Sequence, residues 1–123
     1  MFRKTAFALP ALLAVLLATT AANAMSVREF LTTANGIPRN PTALLRSDTR
    51  RLMGEFKGAL ATVRTEQSAA RAAGRPAASC APERISLSAQ DILNRFNAIP
   101  EARRDISVTQ AVREWMAERY PCS

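Results

Sequence analysis

Two cysteines, Cys80 and Cys122, one lysine beyond residue 24, Lys57, and no histidine make up the chain's stock of strongly nucleophilic or metal-seeking side chains. Without histidine there is no Ser-His or Cys-His pair, no imidazole acid or base and no imidazole metal ligand. Two thiols alone cannot close a structural zinc site, which takes four N or S ligands. A Ser-Lys pair would have to use Lys57, and no serine lies three or four residues from it. Glu114 and Glu118 share a helix face, but Arg113 and Arg119 interleave with them, the pattern of a solvated surface rather than of an acid/base pair. No glycine-rich phosphate loop occurs. The expectation is therefore no catalytic residue, no metal, no cofactor, and function by binding.

The chain is 123 residues long, 48% hydrophobic and 22% charged, which suits one small globular domain rather than a disordered segment. Residues 1–24 read as an export signal. Arg3 and Lys4 open it, Ala6 to Ala18 form an apolar run broken by Pro10, and Ala22-Asn23-Ala24 places small residues at a cleavage site. Cleavage falls after Ala24, with Ala22 as the alternative. The run is too short for a membrane span, which needs about 20 apolar residues. The expected location is the periplasm, with no stable membrane insertion. The net charge of +7 falls to +5 once Arg3 and Lys4 leave with the signal.

In an oxidising compartment an even pair of cysteines without metal partners reads as a disulfide, Cys80 to Cys122. Closing a loop of that length stabilises a fold by about 4 kcal/mol in the chain-entropy account. A redox role would call for a Cys-x-x-Cys spacing, which is absent.

The elements that must position these groups are helices. No alternation long enough for a strand occurs. Ser26-Val27-Arg28-Glu29 is a capping-box pattern opening a short helix with Val27, Phe30, Leu31 and Ala34 on one face, and Asn35-Gly36 to Pro41 ends it. A long helical stretch follows from about Thr42 to Ala73, with a break near Ser47-Asp48. Its apolar stripe is Leu45, Leu52, Phe56, Leu60, Val63, Gln67 and Ala70. Gly54 and Gly58 on it would let another helix approach closely. Gly74-Arg75-Pro76 stops it. After a connector containing Cys80, a third helix starts at Ser88 with Ile92, Leu93 and Phe96 as its apolar face. A fourth starts at the capping-box pattern Ser107 to Gln110 and carries Val108, Ala111, Val112, Trp115 and Met116. The predicted fold class is all-α, a small bundle of about four helices over 25–123, with the disulfide closing the C-terminal helical hairpin.

Arg46, Arg50, Lys57, Arg64 and Arg71 line one side of the long helix as a basic ridge beside its apolar stripe. It has three readings: a solvated face, an interface for an acidic partner, and a nucleic-acid site. Low aromatic content (6%) and export argue against the last. Arg103 and Arg104, in the turn between the last two helices, form a second partner-binding candidate, since loops present side chains for recognition.

The run Cys80-Ala81-Pro82-Glu83-Arg84-Ile85-Ser86, a helix, Ile99-Pro100-Glu101, and a last helix ending Tyr120-Pro121-Cys122 resembles the Rap/Tai immunity-protein family over about residues 79–122. The resemblance implies a helical periplasmic protein with a Cys80–Cys122 disulfide. It also implies that the protein neutralises a peptidoglycan amidase toxin delivered by type VI secretion, by binding and occluding it. Residues 25–73 have no counterpart in that pattern. On this reading the partner is a secreted cell-wall hydrolase, nucleic acid is not a partner, and a homodimer is left open. The alternative is a small periplasmic stress or chaperone-like protein, whose acid trigger would have to come from carboxylates because histidine is absent.

Overall fold

The computed structural model describes residues 24–122. The export signal expected over 1–24 therefore lies, apart from Ala24, outside the described residues. The order of elements is α1 (Val27–Asn35), a 3₁₀ turn (Pro41–Leu45), α2 (Ser47–Ala72), α3 (Ala89–Asn97), a short 3₁₀ turn (Glu101–Arg103) and α4 (Val108–Arg119). The fold is all-α with four α-helices, and no strand occurs among the described residues.

Local sequence explains where each helix begins. Ser26, Ser88 and Ser107 sit in extended conformation, and each side-chain hydroxyl accepts a hydrogen bond from the backbone N–H three residues on, of Glu29, Asp91 and Gln110. Only Ser88 has the reciprocal bond, from its own N–H to the Asp91 carboxylate at 2.9 Å. The two other capping-box patterns are half used. Glu29 turns instead to Arg51, and the Gln110 amide turns to Glu114 and Arg113. Extended backbone at two caps has a further consequence. Ser26 and Ser107 pair as an isolated antiparallel bridge, with Val27 N–H donating to the Ile106 carbonyl and Val108 N–H to the Met25 carbonyl, both at 2.9 Å. The first turns of α1 and α4 are thereby fastened side by side.

α2 ends as its sequence predicts. Gly74 adopts φ +70° and the chain closes with Gly74 N–H to the Arg71 carbonyl and Arg75 N–H to the Ala70 carbonyl, a Schellman motif. Its start falls at Ser47, beside the expected break. The break falls at Arg46, whose extended backbone (φ −81°, ψ 141°) separates the 3₁₀ turn from α2. Leu45, expected on the apolar stripe, is consequently turned away and is 77% exposed. The glycine expectation also fails. A β-carbon built on Gly54 or Gly58 would meet nothing within 4 Å, so no helix approaches there.

One core joins all four helices: Val27, Phe30, Leu31, Leu52, Phe56, Val63, Phe96, Val108, Val112, Trp115 and Met116 are among its buried members. Phe30 and Phe96 meet edge to face with centroids 5.0 Å apart, and Phe56 joins Phe96 (6.4 Å) to Trp115 (6.2 Å). α2 packs chiefly along α4, whereas α3 packs on α1.

Cys80 and Cys122 form the expected disulfide, with Cα atoms 5.1 Å apart, across α3 and α4. The connector that carries Cys80 is held from both sides. Cys80 N–H donates to the Tyr120 carbonyl at 2.8 Å. Buried Gln67 of α2 donates from Nε2 to the Ala81 carbonyl (3.1 Å) and accepts at Oε1 from Ala81 N–H (2.9 Å) and Ser79 Oγ (3.3 Å). No helix among the described residues is long and apolar enough to cross a membrane.

Candidate functional site

Because α3 stands on α1 and reaches α2 through the Phe96 ring, the N-terminal half of α2 keeps a face open. Thr49, Leu52, Met53, Phe56, Lys57 and Leu60 share that face at helical spacing. They floor one side of a trough of about 590 Å³, inside the range of small-molecule sites. The end of α1 and its following loop (Ile37, Pro38, Arg39) and the 3₁₀ turn (Ala43, Leu44) form one end. Ile85, Leu87, Ile92 and Leu93 form the opposite wall. Phe30, Leu52 and Phe56 belong to the buried core as well as to the trough's lining, and Phe30 and Phe56 meet Phe96 and Trp115 edge to face or tilted.

The trough's lining is mostly apolar, with Asn35, Thr49 and Gln90 as neutral polar residues, two cations, Arg39 and Lys57, and no carboxylate. Of the large hydrophobics most exposed on the described surface, Leu44 at 72% and Met53 at 49% line the trough, and Leu45 at 77% is the chain neighbour of Leu44 in the 3₁₀ turn. Leu60 and Ile85 also line an adjoining shallow hollow of about 520 Å³, together with Arg64, Glu83, Arg84 and Ser86. Arg64 donates to the Pro82 carbonyl at 3.0 Å, and its buried Nε has no partner.

The structure does not gather the six candidate cations into one patch. Lys57 lies on the trough and Arg64 in the adjoining hollow. Arg50 reaches back to the Leu45 carbonyl at 3.4 Å, and Arg71 is exposed in the last turn of α2. Arg103 and Arg104 are committed within the fold. Arg103 grips Glu114 with two bonds (2.9 and 3.3 Å), and Arg104 binds Glu101 (2.8 Å) and the carbonyls of Ile99 (2.9 Å) and Asn97 (3.0 Å). Arg28, unremarked in the sequence, holds the same turn through Asp105 (2.8 Å), the Glu101 carboxylate and the Glu101 carbonyl.

These pairs set the electrostatics. The hydrogen bond from Arg103, followed by that from Gln110, holds the Glu114 carboxyl below its ordinary value. Arg28 does the same for Glu101, and Arg113 for Glu66. Glu114 and Glu118, considered above for acid/base work, are bound to Arg103 and Arg95 on a solvated face. Among the described residues no three His, Cys, Asp or Glu side chains converge as a metal site.

Sequence reasoning missed the trough. Its signal was a second helical stripe on α2, residues 49, 52, 53, 56, 57 and 60, overlapping the core stripe, together with Ile85 and Leu87 in a segment that reads as a plain connector. Set beside protein-family models, characterised proteins and solved structures, the chain gives no match in any of the three.

Proposed function

We propose that this chain is an exported binding protein of immunity type, which blocks a cell-wall amidase by seating a leucine-tipped prominence in the enzyme's cleft. The observation that carries the reading is the exposure of Leu44 and Leu45 in the 3₁₀ turn and of Met53 on α2, with Arg39 and Lys57 lining the same trough as Leu44 and Met53. Exposed apolar side chains grouped in this way mark an interaction surface rather than a scatter of single residues. Full burial of a Leu or Met side chain contributes about 1.5–3 kcal/mol, so three of them can anchor a protein complex. The surrounding cations select a cleft with an acidic rim and speed the encounter. The resemblance of residues 79–122 to Rap/Tai proteins supplies the partner class. The absence of any catalytic constellation in the sequence agrees with action by occupancy.

The test mixes the protein with the peptidoglycan amidases encoded beside its gene. The reading expects a complex on size-exclusion chromatography and loss of amidase activity at equimolar ratio. Leu45→Asp combined with Arg50→Glu should abolish both while leaving the circular-dichroism spectrum unchanged, because both side chains are exposed. Full amidase activity at equimolar wild-type protein, with no shift in elution, would overturn it.

A further inference from the structure

The trough and the hollow beside it together have the form of a site for a single-chain amphiphile. Along α2 the apolar lining runs from Thr49 to Leu60. At 1.5 Å per helical residue that is about 16 Å. One leaflet of a bilayer's hydrocarbon core, filled by bent rather than fully extended acyl tails, is about 15 Å deep, so one long-chain tail with bends matches this length. On the far side of Leu60 and Ile85, which both hollows share, the lining is charged: Arg64, Arg84 and Glu83, with Ser86.

Charge selects the headgroup. The two hollows are lined by four cations, Arg39, Lys57, Arg64 and Arg84, against the single carboxylate of Glu83. None of the four cations forms an ion pair with a described residue. Arg84 is exposed, and Arg64 spends one nitrogen on the Pro82 carbonyl while the rest of its guanidinium makes no hydrogen bond. A guanidinium binds a carboxylate by paired, charge-assisted hydrogen bonds, which a neutral alcohol cannot match.

We propose that the trough binds a long-chain fatty acid, its tail lying along α2 between Met53 and Leu93 and its carboxylate reaching Arg64 and Arg84. This site does not depend on whether the leucine prominence blocks an enzyme. A partner's amphipathic helix is the other candidate occupant, but a helix is about 10 Å or more across. An apolar trough with a cation-lined hollow adjoining it at Leu60 and Ile85 favours a ligand with one apolar tail and one anionic head.

The single tryptophan, Trp115, stands behind Phe56 of the floor and reports occupancy. The probe is cis-parinarate, used below its micelle concentration with delipidated protein. Binding should quench Trp115 fluorescence and raise that of the probe. Oleate should displace the probe, and oleyl alcohol should need about tenfold more, the factor set by one charge-assisted hydrogen-bonded pair. Arg84→Glu should weaken oleate by about the same tenfold and leave oleyl alcohol unchanged. Leu93→Arg, checked by circular dichroism for helical content, should abolish both.

Failure of parinarate to bind overturns the proposal. So does equal displacement by acid and alcohol, or an Arg84→Glu variant with unchanged oleate affinity. Displacement of the probe by an acidic amphipathic peptide but not by oleate overturns it in favour of a docked helix.

Discussion

Gln67→Ala tests how the disulfide is positioned. Gln67 lies on the core-facing stripe of α2, yet its amide has a backbone to satisfy: Ala81 N–H and carbonyl, plus Ser79 Oγ, all in buried residues flanking Cys80. Truncation leaves two backbone groups of Ala81 and one hydroxyl without partners. Each buried group left unsatisfied costs about 1–3 kcal/mol. The Ser79 hydroxyl can rotate elsewhere and water can reach part of the gap, so the expected loss is about 2–4 kcal/mol. For a domain of this size that lowers Tm by about 10–20 °C. Thermal denaturation by circular dichroism reads the loss, and hydrogen exchange at the Ala81 amide reads its origin. A companion variant, Gln67→Glu, keeps the acceptor for Ala81 N–H and loses the donor to its carbonyl. Burial raises a carboxyl's pKa above its unfolded value, so this variant should gain stability as pH falls from 7 to 5, opposite in sign to a carboxylate held below its ordinary value, such as Glu66. A Gln67→Ala protein that melts within 2 °C of wild type, with Ala81 still protected, would refute the view that Gln67 holds the connector.

Three further outcomes follow from the fold. Reduction of Cys80–Cys122, or Cys80→Ser with Cys122→Ser, should cost about 4 kcal/mol in the chain-entropy account, measured by urea denaturation; a loss under 1 kcal/mol would mean that the Gln67 clamp and the Cys80–Tyr120 bond hold the connector without the bridge. Gly54→Ala and Gly58→Ala, at positions with open space around the new methyl group, should each stabilise α2 by about 1 kcal/mol; a fall in Tm for either would expose a contact at that face. Glu66, Asp91, Glu101 and Glu114 all have carboxyls held below their ordinary values by hydrogen bonds from Arg113, Ser88, Arg28 and Arg103. Their stabilisation is complete above the unfolded pKa of about 4 and disappears as pH falls through the lower folded values. Helical signal and ANS fluorescence should therefore stay flat from pH 7 to about pH 5 and change only below about pH 4; opening between pH 7 and 5 would contradict this.

What could be read from the sequence was local. The helix starts at Ser26, Ser88 and Ser107 rest on a side chain bonding its own backbone three residues away, and the Gly74 stop on one residue's conformational freedom. The Cys80–Cys122 pairing needed only a count of two. The misreadings were tertiary. Leu45 fits the stripe of a continuous helix and leaves it because Arg46 is extended. Gln67 fits an apolar stripe by spacing, while its amide serves a segment 14 residues away. The trough exists because α3 leans on α1 instead of α2, a choice made by the Phe30–Phe96 contact rather than by any pattern within either helix.

Charge shows the same division. The sequence fixes a total of 17 basic and 10 acidic residues, but not where the surplus acts. In the fold, Glu29, Asp48, Glu66, Glu101, Asp105, Glu114 and Glu118 are each held by an arginine, and Asp91 closes the cap of α3. Most of the ion pairs fasten α1, α3, α4 and the turn at 101–105. The cations left over include Arg39, Arg50, Lys57, Arg64 and Arg84, which sit along and beside the open face of α2 with Glu55 and Glu83 as the remaining carboxylates. Part of the surplus thus lies where the apolar surface is also uncovered, while Arg71, Arg75 and Arg119 lie outside both hollows. Attraction to an anion and burial of a hydrophobic group then act at one place, and a ligand carrying both gains from both, whereas a purely charged or purely apolar one gains from only half.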